Sequence, residues 1–179
     1  MKSSAGTSLT ETGRSIVNSE PAAETLPDIS ADVEPVPAVG DLPELTFRLP
    51  DGSGGTLADR RSRLTLVHFW ASWCGPCKAQ LPALKRLQER YAARGLDVLG
   101  LSLDEEQDAW RAALSRSDFP VRQGLIGPEN DAGVSGVPAY WLLGPDGRIV
   151  ARGYTPDELV SAIAERLGQG EAAAEKVVR

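Results

Sequence analysis

Cys74 and Cys77 are the only cysteines in this 179-residue chain, and Gly75 and Pro76 are all that separates them. Two sulfurs at that spacing admit three kinds of chemistry: metal binding, a structural disulfide, or thiol–disulfide exchange. A structural zinc site wants four ligands, mostly Cys and His. The chain offers two Cys and a single His, His68, so no metal is expected. A bridge over so short a loop restrains the unfolded chain little, and one pair is no scaffold of the small secreted type. Exchange chemistry is the strongest reading of the pair.

Exchange needs a reactive thiolate and a second thiol within reach. The residues on either side supply elements that would place both. "LTLVHFW" (Leu64–Trp70) is a near-continuous run of apolar strand formers and reads as a buried central strand. Beyond the cysteines, Leu81, Leu84, Leu87 and Tyr91 recur at helical spacing, with a stop at Arg94–Gly95. Cys74 then stands at a helix N-terminus, where free N–H groups and the helix dipole stabilise a thiolate. Cys77 sits about one turn further in as the resolving thiol. Pro76 suits the first turn because its missing N–H is not needed there, and Gly75 leaves room for a partner chain. Trp73, beside Cys74 at the surface, would line the approach.

The rest of the chain reads as one α/β domain. "LTFRLP" before "DGSGG" gives a short hairpin or edge strand, and "LDVLGLSL" (Leu96–Leu103) a second buried strand. "DEEQ" from Asp104 reads as a capping box opening a helix with Trp110, Ala113 and Leu114 on one face. "YWLL" and "RIVARG" flank the tight turn "GPDG". The last helix follows "TPDE", with Thr155 as cap, Pro156 at the first position and Glu158 closing the box. Its core stripe is Leu159, Val160, Ile163, Ala164 and Leu167. Trp70, Trp110 and Trp141 are expected in the core. Strands alternating with helices and ending in a hairpin call for a mixed sheet with helices on both faces.

Composition sets the outer limits. Residues 1–40 contain no aromatic residue and carry six acidic against two basic side chains, the composition of a disordered, spacer-like arm. The domain is expected over 41–168, with 169–179 a tail or a helix extension. A net charge of −6 with no basic cluster speaks against nucleic acid as a partner. No apolar run approaches the ~20 residues of a membrane span, and "MKSSAGTSLTETGRSIVNSE" has no apolar core of a signal peptide. Read as it stands, the chain stays in the compartment where it is made, and reaches a membrane only through an anchor outside this sequence.

"FWASWCGPCKAQLP", with the strand before it and the helix after it, resembles the thioredoxin fold, and more closely the TlpA/ResA-type thiol–disulfide oxidoreductases. The resemblance runs from about Val39 to Gly168: "VGDLPELTFRLPDGSGGTLADRRSRLTLVHFWASWCGPC", then "LDVLGLSLDEEQDAWRAAL", then "GVPAYWLLGPDGRIVARGY". It implies an N-terminal hairpin, an inserted helix, no bound cofactor, protein disulfides as substrates and an upstream thiol reductant. It also implies a cis-proline at Pro138, with Val137 offering backbone groups to a substrate strand; read without it, Pro138 is an ordinary trans loop proline. Pro82 matches the family's bend in the active-site helix. An extracytoplasmic location and service in cytochrome c maturation are further implications, as is reduction rather than oxidation from the Gly-Pro dipeptide.

The sequence departs from the family at three positions. His68 stands where thioredoxin has a buried aspartate, and Gln80 where ResA-type members often have a glutamate. His68 is a candidate proton acceptor for Cys77, the alternative being a strand histidine satisfied by a backbone partner. Gln80 is a weaker candidate, the alternative being a solvated helix residue. Ala139 replaces the Thr or Ser that often follows the cis-proline. Two other functional classes compete with exchange. A thiol peroxidase wants its reactive cysteine in a P-x-x-x-[TS]-x-x-C context, and "VHFWASW" before Cys74 has no proline. A redox-regulated binding module would use the same thiols without turnover.

Overall fold

The run Leu64–Trp70 is buried at every position and forms a central strand of a seven-stranded mixed sheet. The computed structural model describes residues 36–59, 62–119, 121–127 and 132–175. The acidic arm lies outside them up to residue 35, and the tail beyond 175. In chain order the elements are β1 (Thr46–Arg48), β2 (Gly54–Thr56), β3 (Leu64–Trp70), α1 (Gly75–Ala79), α2 (Leu81–Tyr91), β4 (Leu96–Ser102), α3 (Gln107–Arg116), β5 (Arg122–Leu125), β6 (Ala139–Leu143), β7 (Ile149–Gly153) and α4 (Val160–Glu175). The sheet order is β2-β1-β5-β4-β3-β6-β7. β3, β4 and β5 run parallel; β1 and β6 pair antiparallel with their neighbours.

Side-chain alternation along the strands assigns the layers. Val67 and Phe69 point to one side, with Leu99, Leu101 and Trp141. Leu64 and Leu66 point to the other, against Leu84, Leu87 and Tyr91 of α2 and Ile163 and Leu167 of α4. Trp70 shares this second side by parity and packs with Trp110 and Ala113 of α3. The expected α/β layering is therefore present with an asymmetry. α2, α3 and α4 all line one face. Among the described residues, helical cover on the opposite face comes from the 3₁₀ turn Leu57–Asp59, through Leu57. Trp70, Trp110 and Trp141 are all within 1% of full burial, so the expectation of three core tryptophans holds.

Gly100 of β4 shows how close the packing is beside Trp70. A Cβ there would stand 2.4 Å from Gln123 Oε1, and that oxygen accepts the Trp70 indole N–H at 3.0 Å. The Gln123 amide thus occupies the space that a side chain at this position would need, and it would have to give up its place under the Trp70 indole N–H to make room. Gly100→Ala is expected to lower stability by about 1–3 kcal/mol through overpacking, read as a lower urea midpoint at unchanged slope.

Two helix starts differ from the sequence reading. The helix after β4 begins at Gln107, with Glu106 as N-cap and no side-chain capping bond. Asp104 does not cap it, because its carboxylate is engaged on Ser72 and Ser102. The last helix opens through a 3₁₀ turn, Asp157–Leu159. Thr155 does not use its oxygen as a cap there; its hydroxyl donates to Glu158 (3.0 Å), which also accepts the Tyr154 N–H (3.0 Å). The box thus closes on the residue before Thr155.

Candidate active site

The end of β3 delivers the cysteines. After Trp70 the chain turns through Ala71–Ser72–Trp73, and the Cys74 N–H donates to Ala71 O at 3.0 Å. Cys74 is the N-cap of α1 in extended conformation, and its sulfur accepts the Cys77 N–H at 3.2 Å. One of the free donors of the first turn is therefore spent on Cys74 Sγ, the arrangement that favours a thiolate there. Cys74 and Cys77 form a disulfide, with Cα atoms 5.4 Å apart. Both sulfur residues are buried, packed against Trp70, Ala71, Trp110 and Leu125. Trp73 beside them is 72% exposed. Gly75 and Pro76 are also exposed, and a Cβ on Gly75 would meet nothing within 4 Å.

The second wall comes from the loop before β6. Ala139, the first residue of β6, pairs with Phe69, so Val137 and Pro138 lie just ahead of β6, at the end of the sheet where β3 runs into the cysteines. The Val137–Pro138 bond is cis, as the resemblance implies, and Val137 packs against the cluster that holds both cysteines. The structure thus brings Trp73, Cys74, Gly75, Pro76, Cys77, Val137 and Pro138 to one end of the sheet.

Pro82 interrupts the active-site helix as expected. It lies in the first turn of α2, and Gln80 joins the two helical segments. Gln80 is half-buried rather than solvated. Its Oε1 accepts the Tyr140 hydroxyl at 2.7 Å and its Nε2 donates to Tyr154 O at 3.3 Å. The amide so ties the helix bend to β6 and to the turn after β7. A carboxylate could accept from Tyr140 but could not donate to Tyr154, so the residue type fits its contacts.

His68 is fully buried, and neither ring nitrogen has a hydrogen-bond partner among the described residues. The backbone partner imagined for it is absent. The ring stacks on Tyr140 at 4.7 Å and 9°. Burial with nothing to stabilise the cation pulls its pKa from 6.5 to about 3. The same desolvation pushes the Tyr140 phenol above its usual value.

The sequence reading missed Ser72, Ser102 and Asp104. Asp104 is 3% exposed. Its oxygens accept the Ser72 N–H (2.9 and 3.1 Å), the Ser72 hydroxyl (2.7 Å) and the Ser102 hydroxyl (2.6 Å). The available signal was the "SLD" at the end of a buried strand, where an acidic residue must find donors.

Fold and dithiol together define a thioredoxin-like oxidoreductase. The chain belongs to the redoxin family, whose model matches residues 25–167. It is 27% identical over 126 residues to the thiol-disulfide oxidoreductase ResA of Bacillus thuringiensis, covering 67% of this chain and 71% of that one. It is 27% identical over 112 residues to the thioredoxin-like protein YneN of Bacillus subtilis, covering 60% of this chain and 65% of that one; the match thus falls short of two thirds of YneN. The thioredoxin domain of a thiol-disulfide oxidoreductase from Bacteroides vulgatus superposes with a TM-score of 0.67 at 25% identity, over 73% of this chain and 98% of that domain.

Proposed function

We propose that the protein reduces disulfides in partner proteins and is recharged by an upstream dithiol. The observation that carries this reading is the disulfide pair at the N-terminus of α1, with the Cys77 N–H on Cys74 Sγ and Val137 packed against the cluster that holds both cysteines. In the reduced protein the Cys74 thiolate attacks a partner disulfide. A Cys74–partner bond forms and one partner thiolate leaves. The Cys77 thiolate then attacks Cys74 Sγ, the Cys74–Cys77 bond forms, and the second partner thiolate leaves with the electron pair. Two electrons pass to the partner, and the upstream dithiol returns them by the reverse sequence.

The flanking residues have roles in the same reading. Val137, whose backbone groups lie outside the sheet ladder, would pair with an extended partner segment. Trp73 is an exposed, rigid aromatic surface beside the nucleophile. The proton of Cys77 is not assigned to His68. With a pKa of about 3, its ring would take a proton from a thiol of reference pKa ~8.5 only at a cost of roughly 7 kcal/mol. Gln80 carries no titratable proton. Solvent or the partner's departing thiolate is left to take it, and the Cys74 side needs no base because its sulfur already meets a helix donor.

The test is reduction of insulin by dithiothreitol, followed by turbidity. Acceleration over the protein-free blank is expected, together with a reduction potential for the pair below that of glutathione. No acceleration would leave a binding module as the better account.

A further inference from the structure

We propose that Asp104 is the positioning residue of the nucleophile: its carboxylate clamps Ser72, and through Ser72 it holds Cys74 where the first turn of α1 donates to its sulfur. The inference rests on the reading of Cys74 as nucleophile.

The loop that carries Cys74 is only three residues long, Ala71–Trp73, and it leaves a strand whose ladder has ended. Something must satisfy the donors of that loop and fix its direction. The Cys74 N–H is taken by Ala71 O within the loop. The Ser72 N–H is taken by both oxygens of Asp104, and the Ser72 hydroxyl by Oδ1. Asp104 is itself held from the other side. Its N–H donates to Ser102 Oγ at 3.0 Å, and the Ser102 hydroxyl donates back to Oδ2 at 2.6 Å. One residue earlier, the Leu103 N–H donates to Trp70 O at 2.8 Å. The carboxylate therefore links the end of β4 to the loop through charge-assisted bonds, which are shorter and stronger than neutral ones.

A helix start or an ordinary turn would not need a buried charge here. Asp104 does not cap α3, and neither ion pair among the described residues includes it. Among the described residues, the hydrogen bonds of its side chain are with Ser72 and Ser102. From Ser72 N to Cys74 N the chain spans at most about 7 Å, so slack at Ser72 is passed directly to the sulfur. On the loop side the N–H···Sγ contact of 3.2 Å is backed by the Cys74 N–H bond to Ala71 O, and the Asp104 clamp on Ser72 fixes a residue between those two.

The experiment is the pH profile of Cys74 alkylation by iodoacetamide in the reduced protein, with the labelled cysteine identified by peptide mapping. In Asp104→Ala the loop loosens and Cys74 loses part of its helix donor. Its midpoint is expected to rise by about one unit toward that of a free thiol near ~8.5. Asp104→Asn keeps an acceptor for the Ser72 N–H and is expected to recover most of that shift. The sign separates this from an effect of charge alone, because deleting a nearby negative charge would lower the midpoint. Trp70, Ala71, Trp110, Leu125 and Val137, packed round the pair, carry no titratable group that could mimic the change. If Asp104→Ala does not fold, Ser72→Ala removes one donor to the same carboxylate and is expected to raise the midpoint by a fraction of a unit. A midpoint that stays or falls in the variant studied, with Cys74 labelled in the parent, overturns the clamp alone. Labelling at Cys77 in the parent overturns the reading of the nucleophile and the clamp with it.

Discussion

Replacing Cys77 by Ser is expected to turn an exchange protein into a trap. Cys74 keeps its place at the N-cap of α1, so it still attacks a partner disulfide and releases one partner thiolate. The Cys74–partner bond then has no resolving thiol. In the native protein that thiol is held on the same helical turn, with its Cα 5.4 Å from that of Cys74. An intramolecular attack from such a position has an effective concentration far above that of any thiol in solution. Turnover is expected to fall by about a thousandfold or more, while one equivalent of adduct accumulates on non-reducing gels and disappears with dithiothreitol. Cys74→Ser should show neither turnover nor adduct. The asymmetry between the two variants is the informative result. Equal adduct from both would mean that either sulfur can lead, and the assignment of nucleophile and resolving thiol would fail.

The two roles are asymmetric because the helix start is asymmetric. Only Cys74 stands before the first turn, where an N–H is unpaired within the helix and free to reach a sulfur. The strand run Leu64–Trp70, the helix signal after Cys74 and the two prolines made this much legible from the chain alone. Periodicity and turn chemistry are local, and they do not depend on what lies across the sheet. The cis bond at Pro138 is different. Nothing in "SGVPAY" distinguishes it from a trans loop proline, and only the family resemblance implied it. Asp104 was misread for a related reason. An acidic residue three before a glutamine looks like a cap whenever a helix follows, yet the donors on Ser72 lie 32 residues away in sequence and won the carboxylate. Gln80 and Tyr140 likewise meet across 60 positions. Polar contacts of that range leave no periodic trace, and they are what completes the candidate site.

His68→Phe is expected to flatten the pH dependence of stability. The native pKa of His68 is about 3 and the unfolded value is 6.5. Between these values the unfolded chain binds a proton that the native protein does not. Stability therefore falls as pH falls: the contribution is whole above 6.5, and it is lost progressively as the pH drops toward 3. From pH 7.5 to pH 5 the loss from this one group is about 2 kcal/mol. Phe has nearly the same outline, can keep the stack on Tyr140, and cannot be protonated. It also removes two buried nitrogens that have no partner, each a cost of about 1–3 kcal/mol in a protein interior, so the variant is expected to be at least as stable as the parent at pH 7.5. Urea unfolding at the two pH values measures both effects. A parent-minus-variant difference that does not change between pH 7.5 and pH 5 would mean that His68 titrates alike in the native and unfolded states, and that the neutral, unpartnered ring is not what the native protein contains. The expected change would also bear on the chemistry, because a ring that resists protonation down to pH 5 cannot be the acceptor for a thiol at neutral pH.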